Sequence, residues 1–185
     1  MIEETLLDAM EKMGKAVEYV QAQFLGVRTG RANASLVERL QVEYYGAYVP
    51  LQQLASFQVP EARMLVVKPH DRGSIAAIER ALQSSDLGLS PSNDGVVIRL
   101  NFPALTEERR KEFVKVVKNM AEEGRVTVRS IRRDARKVLE TAQKDGDISQ
   151  DDLDRAEKEL EQMTQSTVEA VDKAFGRKEQ ELLEV

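Results

Sequence analysis

The chain has 185 residues, 32% of them charged, 42% apolar and 5% aromatic, with a formal net charge of −5. Cysteine is absent, which excludes a disulfide framework, a thiolate metal centre and a thiol nucleophile. No apolar run approaches the roughly 20 residues of a membrane helix, and the acidic start Met1-Ile2-Glu3-Glu4 has no signal or transit pattern, so the expectation is a cytoplasmic, helix-leaning protein of one or two domains.

The spacing predicts a first helix over 3–28. Leu6, Ala9, Met10, Met13, Val17, Val20, Phe24 and Val27 recur at three/four intervals and form one apolar stripe. Gly30 is expected at its stop, since glycine takes a left-handed conformation without steric cost. Residues 38–104 change character. Val42-Glu43-Tyr44-Tyr45 reads as a strand with Gly46 as its turn, and Pro50 and Pro60 exclude helix around them. Met64-Leu65-Val66-Val67 reads as a buried strand, and Ile75, Ile78 and Leu82 mark a short helix. Ser90-Pro91-Ser92-Asn93-Asp94-Gly95 has turn chemistry, and Val96–Leu100 is a further strand. This middle stretch is a small α/β unit.

Helical periodicity returns after Pro103. Thr106 is placed as N-cap, with Glu107 and Glu108 in the first turn, where the helix dipole favours negative charge. The second long helix is expected to run to about Lys144, with Phe113, Val117, Met120, Val128, Ile131, Ala135, Val138 and Ala142 inward. Gly124 interrupts it at a propensity cost of about 1 kcal/mol. Asp145-Gly146-Asp147 closes that helix, and Ser149-x-x-Asp152 opens a third as an approximate capping box. Leu153, Ala156, Leu160, Met163, Thr167, Val171, Ala174 and Phe175 are its stripe.

Three long helices around an insert can bury their stripes only against one another. The expected architecture is a discontinuous three-helix bundle, 1–29 and 106–185, with a small domain at 30–105. The chain crosses between them twice, at Thr29-Gly30-Arg31 and at Pro103-Ala104-Leu105. Two short crossings make a hinge rather than a floppy tether.

Charge is unevenly distributed. Residues 105–145 hold 12 basic and 8 acidic side chains, whereas residues 146–185 hold 5 and 12. Arg125, Arg129, Arg132 and Arg136 step by four, three and four, which sets them within about 60° on a helix surface. Lys118 and Lys111 extend the line, and Arg133 lies about 100° to its side. The bland alternative is a solvated helix face. Five arginines between 125 and 136 favour an anionic partner, because guanidinium groups grip phosphate bidentately. No aromatic residue interleaves with them, so contact with the backbone of folded nucleic acid fits better than base stacking.

Catalysis has no visible constellation. His70 is the only histidine and sits in a loop. Asp145–Asp152 imitates the back half of a calcium loop, but Thr141 and Gln143 stand where the first carboxylates belong. No metal and no cofactor are expected.

Several stretches carry a family resemblance: Arg28-Thr29-Gly30-Arg31-Ala32, Val42-Glu43-Tyr44-Tyr45-Gly46, Pro50-Leu51-x-x-Leu54-Ala55, Ser85-Asp86-Leu87-Gly88-Leu89-x-Pro91, Leu105-Thr106-Glu107-Glu108-Arg109-Arg110-Lys111, and Arg125-Val126-x-Val128-Arg129-x-Ile131-Arg132-Arg133-Asp134-Ala135. In this order they span nearly the whole chain, which resembles bacterial ribosome recycling factors. The resemblance implies an α+β, L-shaped protein of near-tRNA dimensions: a long antiparallel three-helix bundle with an inserted β/α/β domain, acting as a monomer. It implies binding to large-subunit ribosomal RNA after termination. Elongation factor G with GTP then separates the subunits and frees mRNA and tRNA. It implies RNA contact by Arg132 first, then Arg129 and Arg133, with Arg125 in support and Arg28 and Arg31 beside the hinge. Arg136-Lys137 departs from the family's Asn-Asp, and Gly26 replaces a larger residue. The competing expectation is a helical adaptor that binds protein through its acidic third helix.

Overall fold

A computed structural model describes residues 1–184; the expected domain limit at Val185 lies outside the described residues. The chain divides into two compact units, one made of Met1–Val27 with the chain from Glu107 onward, the other Arg28–Thr106.

The first unit is three helices: α1 (Ile2–Leu25), α4 (Glu107–Lys144) and α5 (Gln150–Leu183). α4 runs antiparallel to both neighbours. Its Gly124 abuts Val20 of α1, and its Arg125 and Arg136 reach Asp172 and Glu157 of α5. Glycine and serine chemistry make the α4–α5 turn tight. Gly146 takes φ 81°, the Gly146 N–H donates to Gln143 O, and the Asp147 N–H donates to Ala142 O, a Schellman closure. Ser149 then accepts from the Asp152 N–H, and the Asp152 carboxylate accepts from the Ser149 N–H, completing the expected capping box.

The bundle core has three layers. Leu139, Leu153 and Ala156 pack beside the turn; Leu6, Ala9, Met13, Val128, Ala135 and Leu160 form the middle; Val20, Phe24, Val27, Val117, Ala121, Val171 and Leu182 close the far end. Two expected core residues are outside: Met10 and Val138 are 53% and 51% exposed. Leu139, fully buried, continues the Val128–Ala135 seam in place of Val138. Val138 lies about 100° from Leu139 and lines a groove of about 340 Å³ with Ala9, Ile131 and Asp134. Lys178 departs from the apolar rule. It lies on the core stripe of α5 in line with Val171 and Leu182, and its side chain is only 12% exposed, 3.8 Å from Glu181. Burial lowers its pKa, and Glu181 offsets part of the effect.

α1 stops earlier than its periodicity predicts. It ends at Leu25; the Gly26 N–H, at φ −75°, donates to Gln23 O, and the Val27 N–H donates to Phe24 O. Gly30, expected at the helix stop, lies beyond it in the crossing and does take a left-handed φ of 79°. Gly124 is the other correction. A Cβ there would overlap Cγ2 of Val20, which is itself 1% exposed, so the glycine permits close approach of α1 and α4 rather than merely weakening a helix.

The second unit holds a hairpin, β1 (Gln41–Tyr44) and β2 (Ala47–Pro50), a one-turn helix α2 (Leu51–Leu54), and a four-stranded antiparallel sheet. The sheet contains β3 (Ala55–Glu61), β4 (Met64–Pro69), β5 (Ser90–Asn93) and β6 (Ile98–Asn101) in the order β3-β4-β6-β5. Tyr45 and Gly46 turn the hairpin at φ 50° and 80°, the left-handed pair that matches strand twist. Helix α3 (Ile75–Gln83) packs Ile78 and Leu82 into one core with Val42, Leu65, Val67, Ile98 and Leu100.

Ser90–Asn93, expected as turn, is a strand. It lies at the sheet edge and pairs only with β6, so Pro91 removes no needed ladder bond. The turn follows it. The Asp94 carboxylate accepts from the Val96 and Val97 N–H groups and from Arg99 Nη1, and these bonds hold its pKa down to about 2.

Two outcomes test this packing. Gly124→Ala gains helix propensity of about 1 kcal/mol, yet overpacking is expected to outweigh it, with net destabilisation of about 1–2 kcal/mol in urea unfolding. Val20→Ala in the same chain should recover part of that loss, and an uncompensated gain in stability from Gly124→Ala would contradict the close approach. For Asp94 the folded pKa lies below the ordinary 3.8, so its contribution is present above that value and disappears as pH falls through about 2. Asp94→Asn should remove that component of the acid-unfolding profile, measured by circular dichroism.

Candidate nucleic-acid interface

The arginine line lies on α4, and packing of that helix decides what each guanidinium faces. Gly124 and Ala142 point into the core. At about 100° per residue, Arg133 points about 180° away from them, to the centre of the exposed face. Arg125, Arg129, Arg132 and Arg136 fall on one shoulder of that face. Asp134 and Ile131 fall on the other side, in the groove beside α1. The periodic ridge is therefore the α5-facing shoulder of the helix, not the crest of its outer surface.

That position gives the ridge carboxylate partners. Arg125 is the most enclosed, with a side chain 17% exposed. Its Nε donates to Asp172 at 2.7 Å and its Nη1 to Glu122 at 3.0 Å. Burial alone would lower its pKa, but the two carboxylates outweigh burial and raise it. Arg132 Nη1 donates to Glu161 Oε2 at 2.6 Å, a one-point contact. Arg136 Nε is shared between Glu140 at 3.0 Å and Glu157 at 3.1 Å, and the two acids raise its pKa. Arg129 is 3.7 Å from Glu122, too far for a hydrogen bond.

Arg133 and Lys137 complete the outer face. Both are exposed, and among the described residues no carboxylate pairs with either. Lys137 is a cation that the ridge spacing did not select; its signal was the four-residue step from Arg133. The acidic counterparts on α5 were also missed as individuals. The charge excess of residues 146–185 pointed to them, but only the register of the antiparallel pair shows which acid meets which arginine. Lys111 is paired with Glu107 at 3.1 Å, and Lys118 is exposed on the same helix.

The remaining candidates belong to the second unit. Arg28 Nη2 donates to the Leu87 carbonyl at 2.8 Å, so it is committed to a loop of its own unit. Arg31 is exposed, and its backbone N–H donates to Thr29 Oγ1. The two crossings lie side by side: a Cβ on Gly30 would stand 3.4 Å from the Leu105 nitrogen and 3.5 Å from its Cγ. Residues 26–33 and 102–106 contain no helix or strand.

No group of three or more His, Asp or Glu side chains suited to a metal ion occurs among the described residues, and His70 is exposed in its loop. No helix among them is long and apolar enough to cross a membrane. The arrangement suits charge-based docking.

Similar proteins fit this geometry. A family model described as ribosome recycling factor matches residues 20–183. The ribosome-recycling factor of Thermobifida fusca is 53% identical and that of Renibacterium salmoninarum 54%, each over all 185 residues and the whole of both chains. The fold is similar to a solution structure of a ribosome recycling factor, with a TM-score of 0.80 at 38% identity, covering 100% of this chain and 98% of that one. It is also similar to a T. thermophilus ribosome recycling factor placed with E. coli elongation factor G on the E. coli post-termination complex, with a TM-score of 0.69 at 43% identity over the whole of both chains. Two units, an inserted sheet domain and an arginine-rich central helix thus accompany identity above one half along the entire length, and the chain belongs to the ribosome recycling factor family.

Proposed function

We propose that this chain binds the post-termination ribosome through large-subunit ribosomal RNA. Elongation factor G with GTP then drives the ribosome apart, releasing mRNA and deacylated tRNA. The observation that carries the reading is the solvent side of α4, where Arg133 and Lys137 are open on the outer face, Arg129 is exposed on the shoulder and Arg132 there keeps two guanidinium nitrogens out of its ion pair. Phosphates meeting this face find cations already held on a rigid helix. A similar factor placed with elongation factor G on a post-termination complex supplies the partners.

In this mechanism the chain performs no covalent chemistry, and nucleotide hydrolysis belongs to elongation factor G. It acts in the cytoplasm, where ribosomes terminate. Arg132, Arg129 and Arg133 contact RNA. Arg125 supports the bundle, because Asp172 and Glu122 already claim its nitrogens. Arg28 and Arg31 flank the crossings, which serve as the hinge: Thr29, Gly30 and Arg31 on one strand, Pro103, Ala104 and Leu105 on the other. The left-handed Gly30 and the absence of regular structure there leave the crossings as the segments best able to absorb a change in backbone angles. The acidic third helix does not favour an adaptor role, since Glu157, Glu161 and Asp172 are occupied by α4.

Arg133→Ala should weaken binding to isolated large subunits, lower the magnitude of the log–log salt slope by about 0.7–0.9, and leave helical circular dichroism unchanged. Wild-type affinity and slope would remove the outer face of α4 from the interface. Gly30→Ala places a side chain in a left-handed conformation that costs roughly 1–2 kcal/mol. Ribosome binding should persist while the rate of subunit splitting with elongation factor G and GTP falls; full splitting would show that the crossing does not serve as a hinge.

A further inference from the structure

The α5 carboxylates sit against the guanidiniums of the α4 shoulder. Arg132 and Arg136 border a cavity of about 320 Å³ whose rim also carries Lys158, Asp154, Glu157 and Glu161. Three cations and three carboxylates balance there. The Arg132–Glu161 pair is short, at 2.6 Å, yet both side chains remain solvent-accessible, at 39% and 61%. Such a pair is weak in stability yet well placed to compete with an incoming anion. On the outer face Arg133 and Lys137 meet no such competitor among the described residues. One helix thus presents a screened shoulder beside an open crest.

We infer that Glu161, with Glu157 beside it, is a specificity-determining element of the RNA-binding surface, which suppresses attachment to generic RNA by occupying the α4 guanidiniums that face α5. The inference rests on the reading of α4 as that surface. A flexible strand that touches the shoulder either displaces a carboxylate from its guanidinium or places its phosphate beside that carboxylate's charge. A folded RNA shaped to engage the crest and the shoulder together offsets that penalty with the unscreened contacts to Arg133 and Lys137. Discrimination therefore comes from repulsion of the wrong ligand as well as attraction to the right one. The net charge of −5 acts in the same direction.

The test compares wild type, Glu161→Gln, Glu157→Gln/Glu161→Gln, Arg132→Ala and Arg132→Ala/Glu161→Gln. Binding is measured by fluorescence titration against a uridine homopolymer and against isolated large ribosomal subunits, over a range of salt. Circular dichroism checks that each variant is folded. Glu161→Gln should bind the homopolymer about three- to tenfold more tightly, from a lost competitor and a lost like charge. Its salt slope should steepen by about 0.7 as one guanidinium is freed. The gain on large subunits should be smaller, and Arg132→Ala/Glu161→Gln should lose the homopolymer gain. Unchanged homopolymer affinity, or an equal gain on both ligands, overturns the specificity role. Arg132→Ala separates the two levels. Unchanged affinity for large subunits sinks the RNA contact itself, whereas weakened binding with an inert Glu161→Gln sinks only the role given to Glu161.

Discussion

The α4–α5 turn is the constraint on which the rest depends. Gly146 in a left-handed conformation closes one helix, and the Ser149–Asp152 box opens the next within a few residues. A connection this short leaves little freedom in register between helices of 38 and 34 residues. That register sets Arg125 opposite Asp172, Arg132 opposite Glu161 and Arg136 opposite Glu157. A shift of one residue would rotate the contact by about 100° and separate every pair. The same register places Leu139 against Leu153 and Ala156, so electrostatic and apolar matching agree.

Most of the fold was legible because its signals are local. Helix periodicity, the capping box, the Tyr45-Gly46 turn and the β-branched run at Met64–Val67 each declare themselves within a few residues. The misreadings came from tertiary context. Ser90–Asn93 has no apolar alternation because its side chains stay mostly exposed, and only backbone pairing with β6 makes it a strand. Val138 looked inward because the stripe was read at a fixed angle, whereas the buried arc of α4 is set by two neighbours at once. Gly124 looked like a propensity defect because its reason, the methyl of Val20, lies 104 positions away in sequence. α1 ends at Leu25 with Gly26 as its C-cap, the position where the chain departs from a larger residue and a looser last turn is expected.

The candidate site was legible as a set and not as a geometry. Four arginines at helical spacing and a fifth beside them were evident, as was the excess of acid in the following helix. Periodicity could not say which way the line faced. Arg133, which seemed an offset addition, points to the middle of the open face, while Arg125, the first member of the ridge, is nearly enclosed. Resemblance ranked Arg132, Arg129 and Arg133 above Arg136. In the structure each commits one nitrogen: Arg136 divides it between two carboxylates, and Arg132 gives it to one.

An acidic chain that approaches a polyanion needs its cations concentrated, rigid and selectively uncovered. Concentration comes from α4, whose stretch 105–145 carries the basic excess. Rigidity comes from the bundle, because α4 is packed between α1 and α5 along its length, so its exposed side chains project from a backbone that does not have to be ordered on binding. Selective covering comes from α5. If all five guanidiniums pointed outward, the surface would attract any RNA in proportion to its phosphate density. With the shoulder matched to Glu157, Glu161 and Asp172, the long-range attraction falls and the short-range contacts remain. On the proposed reading affinity depends on shape, because only a partner that reaches crest and shoulder together recovers the covered cations. The acidic third helix is thus part of the basic surface: it sets the conditions under which the arginines are available.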